Sequence, residues 1–241
     1  MQENFDKYVH NFDMKDEIIK AKYNHSYRVM KLSEKYARKL NFSKEDIEIA
    51  KIIGLLHDYG RFIQIKQYHT MKDSIIDHAD LGIKLLFENK EIEKFNIPQK
   101  YYDIIKFAIK NHNKFYIDKT EDKRKLMHAK LIRDADKMDI LFLFGYCNDL
   151  KLKETDEPIT KEVLECVKKH QLVDIHLCKN PNDHIITKFS FVFDINYDEF
   201  LKEFKENLTK FYDRLQYKHI YEQVYMEALK YIDERIDNHV R

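Results

Sequence analysis

The chain holds twelve histidines, and four of them fall where a helix would place apolar side chains. His25 precedes Val29 and Leu32 by four and seven positions, which puts all three on one helical stripe. His57 follows Ile53 by four and Ala50 by seven, and His78 lies three after Ile75 and three before Leu81. His112 comes four after Ala108 and three after Ile109. Asp136 is the oddest member, four after Ile132 and four before Ile140. A single inward imidazole is usually a hydrogen-bonded core residue, and a single inward Asp a cap or a hydrogen-bond hub. A carboxylate on an apolar face is costly unless it is paired, hydrogen-bonded or bound to metal. Five such residues on successive helical segments point instead to a shared site. Helical bundles build metal centres in this way, from inward imidazoles and carboxylates. The mixed donor set suits Mn, Fe, Co, Ni or Zn better than Ca, which takes oxygen alone.

The elements that must carry these residues are helical. Val29, Leu32, Tyr36 and Leu40 mark a helix over Tyr23–Leu40. Ser43 and Asp46 resemble a capping box opening a second helix through Leu56, with Gly60 as its stop. Asp73-Ser74 offers the next cap, ahead of Ile75, Leu81, Leu85 and Leu86. Pro98 suits the first turn of a helix carrying Ile104, Ile105, Ala108 and Ile109. Leu126 to Phe144 makes one more long helix. Residues 150–158 are charged and loop-like, and Thr160 is placed to cap a short helix. Residues 185–195 admit a strand, from the alternation of Phe189, Phe191 and Phe193, or a helix; helix is preferred because a lone strand has no partner. Two closing helices follow, over 198–214 and 217–236.

Composition agrees and excludes much else. Four glycines and three prolines in 241 residues are far below the usual ~7% and ~5%. No G-x-G or G-K-[ST] occurs, so Rossmann and P-loop sites are excluded, and tight N-G or D-G hairpins are absent too. A net charge of +1 gives no strong nucleic-acid signal. The three cysteines form no C-x-x-C and are expected to be free thiols. The N-terminus lacks the marks of a signal peptide, and the longest uncharged apolar run, nine residues from Ile140, is too short for a bilayer. A soluble, cytoplasmic protein is the expectation.

The order His25, His57-Asp58, Asp136 resembles the H…HD…D signature of the HD superfamily of metal-dependent phosphohydrolases. The segment Ile53-Gly-Leu-Leu-His-Asp-Tyr-Gly-Arg-Phe62 is similar to that family's LLHDIGR stretch, and Asn111-His112-Asn113 and Ile132-Arg-Asp-Ala-Asp-Lys137 resemble its later motifs. The resemblance covers about residues 20–145. It implies an all-α fold: a single-domain HD-type helical bundle with the metal site in its core and a mostly helical extension over about 146–241. It also implies a divalent metal held by His25, His57, Asp58 and Asp136. His78 and His112 match the extra ligands of the two-metal subgroup, in which Asp58 would bridge both ions. Two departures stand out. Asn113 occupies a position where that subgroup often has a second histidine, and the GYP signature of the cyclic dinucleotide phosphodiesterases is missing.

One or two divalent transition-metal ions would lower the pKa of a bound water toward ~7 and supply hydroxide at neutral pH. The expected substrate is a small phosphate ester, a nucleotide above all, cleaved as a phosphomonoester or phosphodiester. Arg61 and then Lys137 are the expected phosphate contacts, and His69 a candidate proton donor to the leaving group. Each ligating histidine should pass its other ring N–H to a carboxylate or carbonyl, with Asp77, Asp80 and Asp139 nearby in sequence. An HD-type di-iron oxygenase and a non-catalytic metal-stabilised binding module remain alternatives. Gly54, Gly60 and Gly82 flank proposed ligands, where a missing side chain leaves room for a metal, a water or a close helix; Gly145 is the exception.

Overall fold

Polar caps decide where the helices around the candidate ligands begin. The computed structural model describes residues 1–240. After a short first helix, α1 (Gln2–Val9), Asp16 accepts hydrogen bonds from the N–H groups of Ile18 (2.8 Å) and Ile19. This cap opens α2 (Glu17–Lys39) six residues before the predicted start at Tyr23. Asn41, at φ 57°, then turns the chain in the left-handed region that Asn tolerates. Ser43 opens α3 (Lys44–Leu56) by accepting from Asp46 N–H at 3.1 Å. The Asp46 carboxylate does not close the predicted capping box; it accepts from the Ser43 hydroxyl and from Arg124 and pairs with His128.

Two expected boundaries are corrected. Gly60 does not end α3, which stops at Leu56; α4 (Tyr59–Tyr68) starts two residues after His57, with Gly60 in its first turn. Asp73-Ser74 does not cap the next helix either. Asp77 does, accepting from Ala79 N–H (2.8 Å) and Asp80 N–H (3.0 Å) at the start of α5 (His78–Ile83). Ile75 therefore precedes the helix and is exposed rather than part of its apolar stripe. A wider π turn over Lys84–Glu88 follows, then α6 (Tyr102–Asn111) and the long α7 (Lys123–Tyr146).

The chain divides into two compact units, Met1–Asp136 and Lys137 onward. The core of the first is built from Phe5, Val29, Ile53, Leu56, Phe62 and Ile105, all fully or almost fully buried. A buried aromatic or aliphatic side chain of this size contributes about 1.5–3 kcal/mol relative to exposure. The second unit contains α8 (Lys161–Lys168), α9 (Pro181–Phe189), α10 (Leu201–Asp213) and α11 (Lys218–Val240). Phe189, Phe200, Phe204 and Phe211 fill its core. The stretch 185–195 is helical, as α9 followed by a 3₁₀ turn over Ser190–Asp194. The capping box Asn180–Asp183, with Pro181 at the first helical position, sets that choice. The Asn182 side chain, bonded to Tyr221 and to the Thr155 and Glu157 carbonyls, ties the irregular 150–158 segment to the helices. The expected all-α fold holds: no strand occurs among the described residues, and no helix among them is long and apolar enough to cross a membrane.

The glycines mark helix crossings, not room for an ion or a water. A Cβ on Gly54 would lie 2.8 Å from Met30 Cα, so α3 rides directly on the backbone of α2. A Cβ on Gly60 would lie 2.2 Å from the His78 carbonyl oxygen and 2.4 Å from Gly82 N, so α4 and α5 touch backbone to backbone. Gly145 is a crossing as well: a Cβ there would lie 3.2 Å from the Asn207 carbonyl oxygen, within the second unit. Backbone cannot swing aside as a flexible side-chain end can, so a side chain at 60 forces the two helices apart. Gly60→Ala should destabilise the metal-stripped protein by about 3 kcal/mol, at the upper end of overpacking effects. Gly145→Ala, with looser contacts, should lose about 1 kcal/mol. Thermal or urea unfolding of the two variants measures the difference, and equal losses would contradict this account of Gly60.

Candidate metal centre

The six candidate ligands come from five places in the first unit. His25 projects from the middle of α2. His57 is the residue on which α3 ends, and Asp58 sits in the turn between α3 and α4. Asp58 occupies the N-cap position of α4 but its side chain makes no capping bond, which leaves both carboxylate oxygens for the interior. His78 is the first residue of α5, His112 the residue that ends α6, and Asp136 lies on α7. Four are almost completely buried imidazoles, and Asp58 is buried with them.

Their donor atoms converge. His25 Nε2 lies 3.2 Å from His57 Nε2, 3.0 Å from Asp136 Oδ1 and 3.5 Å from Asp58 Oδ2. On the other side of the same carboxylate, Asp58 Oδ1 lies 3.0 Å from His78 Nε2 and 3.9 Å from His112 Nε2, and those two nitrogens are 2.9 Å apart. Three groupings of metal-ligand type result: His25–His57–Asp58, His57–His112–Asp136 and Asp58–His78–His112. Asp58 thus faces two sets of nitrogens with different oxygens.

The outer hydrogen bonds fix which ring nitrogen faces inward. His57 Nδ1 is 2.9 Å from the Gly54 carbonyl oxygen and His112 Nδ1 is 2.7 Å from that of Ile109, so each Nδ1–H donates outward. His78 Nδ1 is 2.7 Å from Asp73 Oδ1. With the proton on Nδ1, the inward Nε2 atoms of these three carry lone pairs that face one another and the carboxylate oxygens. Acceptors facing acceptors at about hydrogen-bond distance need a cation, or a proton, between them, and a divalent ion fits the donor set. For His57, His112 and His78 the outer role falls to two carbonyls and Asp73, not to Asp77 or Asp80. Asp77 is occupied as the cap of α5, and both Asp77 and Asp80 pair with Lys114.

The ionisation of the group follows from its crowding. Burial alone would raise the Asp58 carboxyl, but Lys22 and the surrounding histidines outweigh it and hold it well below the usual range. Asp136 behaves likewise: burial raises it, and the adjoining His25 and His57 bring it well below. Burial, reinforced by His78 and His57, keeps His112 neutral. Burial also pulls His78 down, but its bonds to Asp58 and Asp73 prevail and raise it.

The expected accessory residues fare differently. Arg61 is buried beside the cluster, but its guanidinium holds the 70–77 loop, donating to the Met71 carbonyl (2.9 Å), Asp73 Oδ1 (3.0 Å) and Gln64. Its Nη2 stands 3.2 Å from His78 Nε2. Lys137 pairs with Asp194 at 2.7 Å. His69 is not brought into the cluster: it ends α4 at φ 49°, exposed. Asn113 donates to Asp77 at 3.0 Å and touches His78 Nδ1 at 3.4 Å, so it supports the outer side of the site rather than supplying a ligand. Sequence reasoning missed Lys22, whose Nζ lies 2.8 Å from Asp58 Oδ2; its position three residues before His25, one turn along the same face, was the available signal. It also missed Asp73 as the partner of His78, for which a loop position five residues away gives no periodic cue.

An all-helical protein that gathers four imidazoles and two carboxylates in this way carries a site able to hold divalent metal. Residues 23–141 match the HD domain family, so this part of the chain is an HD domain, in keeping with the H…HD…D resemblance. No curated protein and no solved structure matches the chain significantly.

Two metal-loading outcomes follow. Asp58→Asn should lose essentially all bound metal, whereas His78→Ala should retain the part held by His25, His57 and Asp136; elemental analysis of the purified proteins reads the difference. Asp73→Asn should weaken binding at the His78 side about 10–100-fold without unfolding the protein, the usual effect of removing an outer hydrogen-bond partner of a ligand. Unchanged affinity in a metal titration would refute that role.

Proposed function

We propose that the protein is a hydrolase of small phosphate esters, with a nucleotide or related phosphomonoester or phosphodiester as substrate, working with two divalent transition-metal ions. The observation that carries this reading is the division of Asp58: Oδ2 faces His25 and His57 while Oδ1 faces His78 and His112. A bound divalent ion supplies Lewis acidity and lowers the pKa of a water toward ~7.

The chain's own residues do the rest. The outward Nδ1–H bonds of His57, His78 and His112 hold each Nε2 in place, so the ligand geometry precedes loading. Asp136 and Asp58, both ionised, set the negative charge of the pocket against the ions. Lys22 reaches Asp58 from a side chain that is 17% exposed, so its ammonium touches the ligand set and solvent together. It is the cation placed to meet a substrate phosphate. Arg61 is the weaker candidate for that task, because it is buried and its Nη1 is held by the loop and by Gln64. Its role in this reading is to hold Asp73 and His78 in register.

The test is hydrolysis of an aryl phosphate and a nucleotide panel with Mn, Co, Ni, Zn and Mg, before and after chelation. Activity should disappear with chelation and return with one or more of these ions. Lys22→Ala should retain its metal while kcat/KM falls about 10²-fold, the scale of removing one preorganised donor to transition-state charge. A metal-replete protein inert across phosphate esters would overturn the reading, and full activity in Lys22→Ala would remove that residue from it.

A further inference from the structure

The second unit contains a cleft of about 460 Å³, bordered by the start of α9, the 151–153 segment and Phe144. Its charged and titratable wall residues are Lys151, Lys153, Lys179, Lys188 and His184, and no Asp or Glu lines it. In a chain of net charge +1 this is a local excess of positive charge. Asp149, two residues before Lys151, is exposed and does not line the cleft. Two other neighbouring carboxylates are engaged elsewhere. Glu154 accepts from the N–H groups of Gln216 and Tyr217 at 3.1 Å, and Asp183 accepts from Thr160, Lys179 and Asn180 N–H. Of these lysines, only Lys179 has an acidic partner among the described residues, Glu162 at 3.0 Å, and that pair is exposed.

Lys188 is the informative residue. Its ammonium lies over the faces of Phe144 and Phe191, 5.6 and 5.2 Å from the ring centroids, and donates to Thr187 Oγ1 at 2.8 Å. No carboxylate lies within ion-pair distance of it among the described residues. Burial pushes its pKa down to about 8, so it stays charged at neutral pH in surroundings that disfavour the charge. An anion in the cleft would relieve that. The N-terminal amides of α9 are not the source of attraction, because the Asn180–Asp183 capping box occupies that end. Leu152, Pro181 and Ile185 give the cleft an apolar wall beside the cations. Its volume is within the range of small-ligand pockets.

We propose that this cleft binds a small, multiply charged organic phosphate, with Lys188 at the inner end of the anion and Lys151 and Lys153 at the outer. Spread over several lysines, the site favours two or more linked phosphates over one, and the apolar wall receives the organic part. None of the residues lining the cleft is a candidate metal ligand.

The experiment is calorimetric titration of the full-length protein in excess EDTA with ADP, inorganic phosphate and adenosine at fixed ionic strength. ADP should bind saturably, with Kd below about 1 mM, more tightly than phosphate, and adenosine should not bind. Lys188→Gln should weaken ADP at least about tenfold, the loss of one partly desolvated charge-assisted contact. The exposed Lys151→Gln and Lys153→Gln, which leave packing untouched, should each weaken it about threefold. Lys202→Gln, exposed on α10 and outside the wall, should change nothing. No saturable ADP binding below about 5 mM, adenosine binding as tightly as ADP, or equal affinity across the cleft variants overturns the proposal. Because the titration runs without metal or turnover, its failure leaves the phosphohydrolase reading standing, and inactivity of the metal centre leaves this one standing.

Discussion

The first unit is organised around one buried carboxylate. Asp58 has no solvent to stabilise its charge, and a lone ion in such a place would shift its pKa until it became neutral. Lys22 on α2, His57 at the end of α3 and His78 on α5 keep it ionised. Each compensating group comes from a different segment, so the charge is balanced only when those segments are assembled. The same requirement makes the site specific for a cation: the inward nitrogens are acceptors, fixed as such by the bonds their other ring nitrogens make outward.

Such convergence needs helices closer than side chains normally allow. Gly54 lets α3 lie on α2, which brings His57 within 3.2 Å of His25. Gly60 and Gly82 let α4 lie on α5, and the atom nearest to the absent Cβ of Gly60 is the carbonyl oxygen of His78 itself. A side chain there would move a ligand backbone, not merely crowd a core. Stability and ligand geometry therefore meet at the same position. The scarcity of glycine in the chain, which first speaks only against Gly-rich phosphate loops, coincides with its use at helix crossings.

Much of this was legible because helical periodicity and ligand chemistry reinforce one another. An apolar stripe that contains His25 or Asp136 is anomalous by itself, and the anomaly is the signal. The HD doublet placed Asp58, which periodicity alone does not mark. What was hidden lies at helix ends and in loops. His57, His78 and His112 are terminal residues whose directions depend on caps and turns, and the cap of α5 was assigned to Asp73 when Asp77 holds it. Asp73 is a loop residue whose partner is set by Arg61 and Gln64 from α4. His69 and Lys137 were singled out for sequence proximity to ligands, but proximity along the chain does not give direction: one is an exposed helix terminus, and the other has its own carboxylate in Asp194.

The cations of the first unit divide by how many of their donors are already engaged. A guanidinium has five N–H donors in a fixed plane, and Arg61 directs its Nη1 to a carbonyl, a carboxylate and an amide of the loop it secures. Turning it toward a substrate would release the loop and with it Asp73, the partner of His78. Lys22 carries a compact ammonium on a flexible stem, and that ammonium meets Asp58 Oδ2 at 2.8 Å. A divalent ion beside Asp58 would repel it, and the ammonium can then swing toward solvent while its stem stays on α2. On the proposed phosphohydrolase reading, loading the site would turn Lys22 from the counter-ion of a ligand into a cation at the rim, available to a substrate phosphate. Arginine at 61 and lysine at 22 are on this argument not interchangeable: rigidity is needed where a ligand is held, and freedom where the charge must be released.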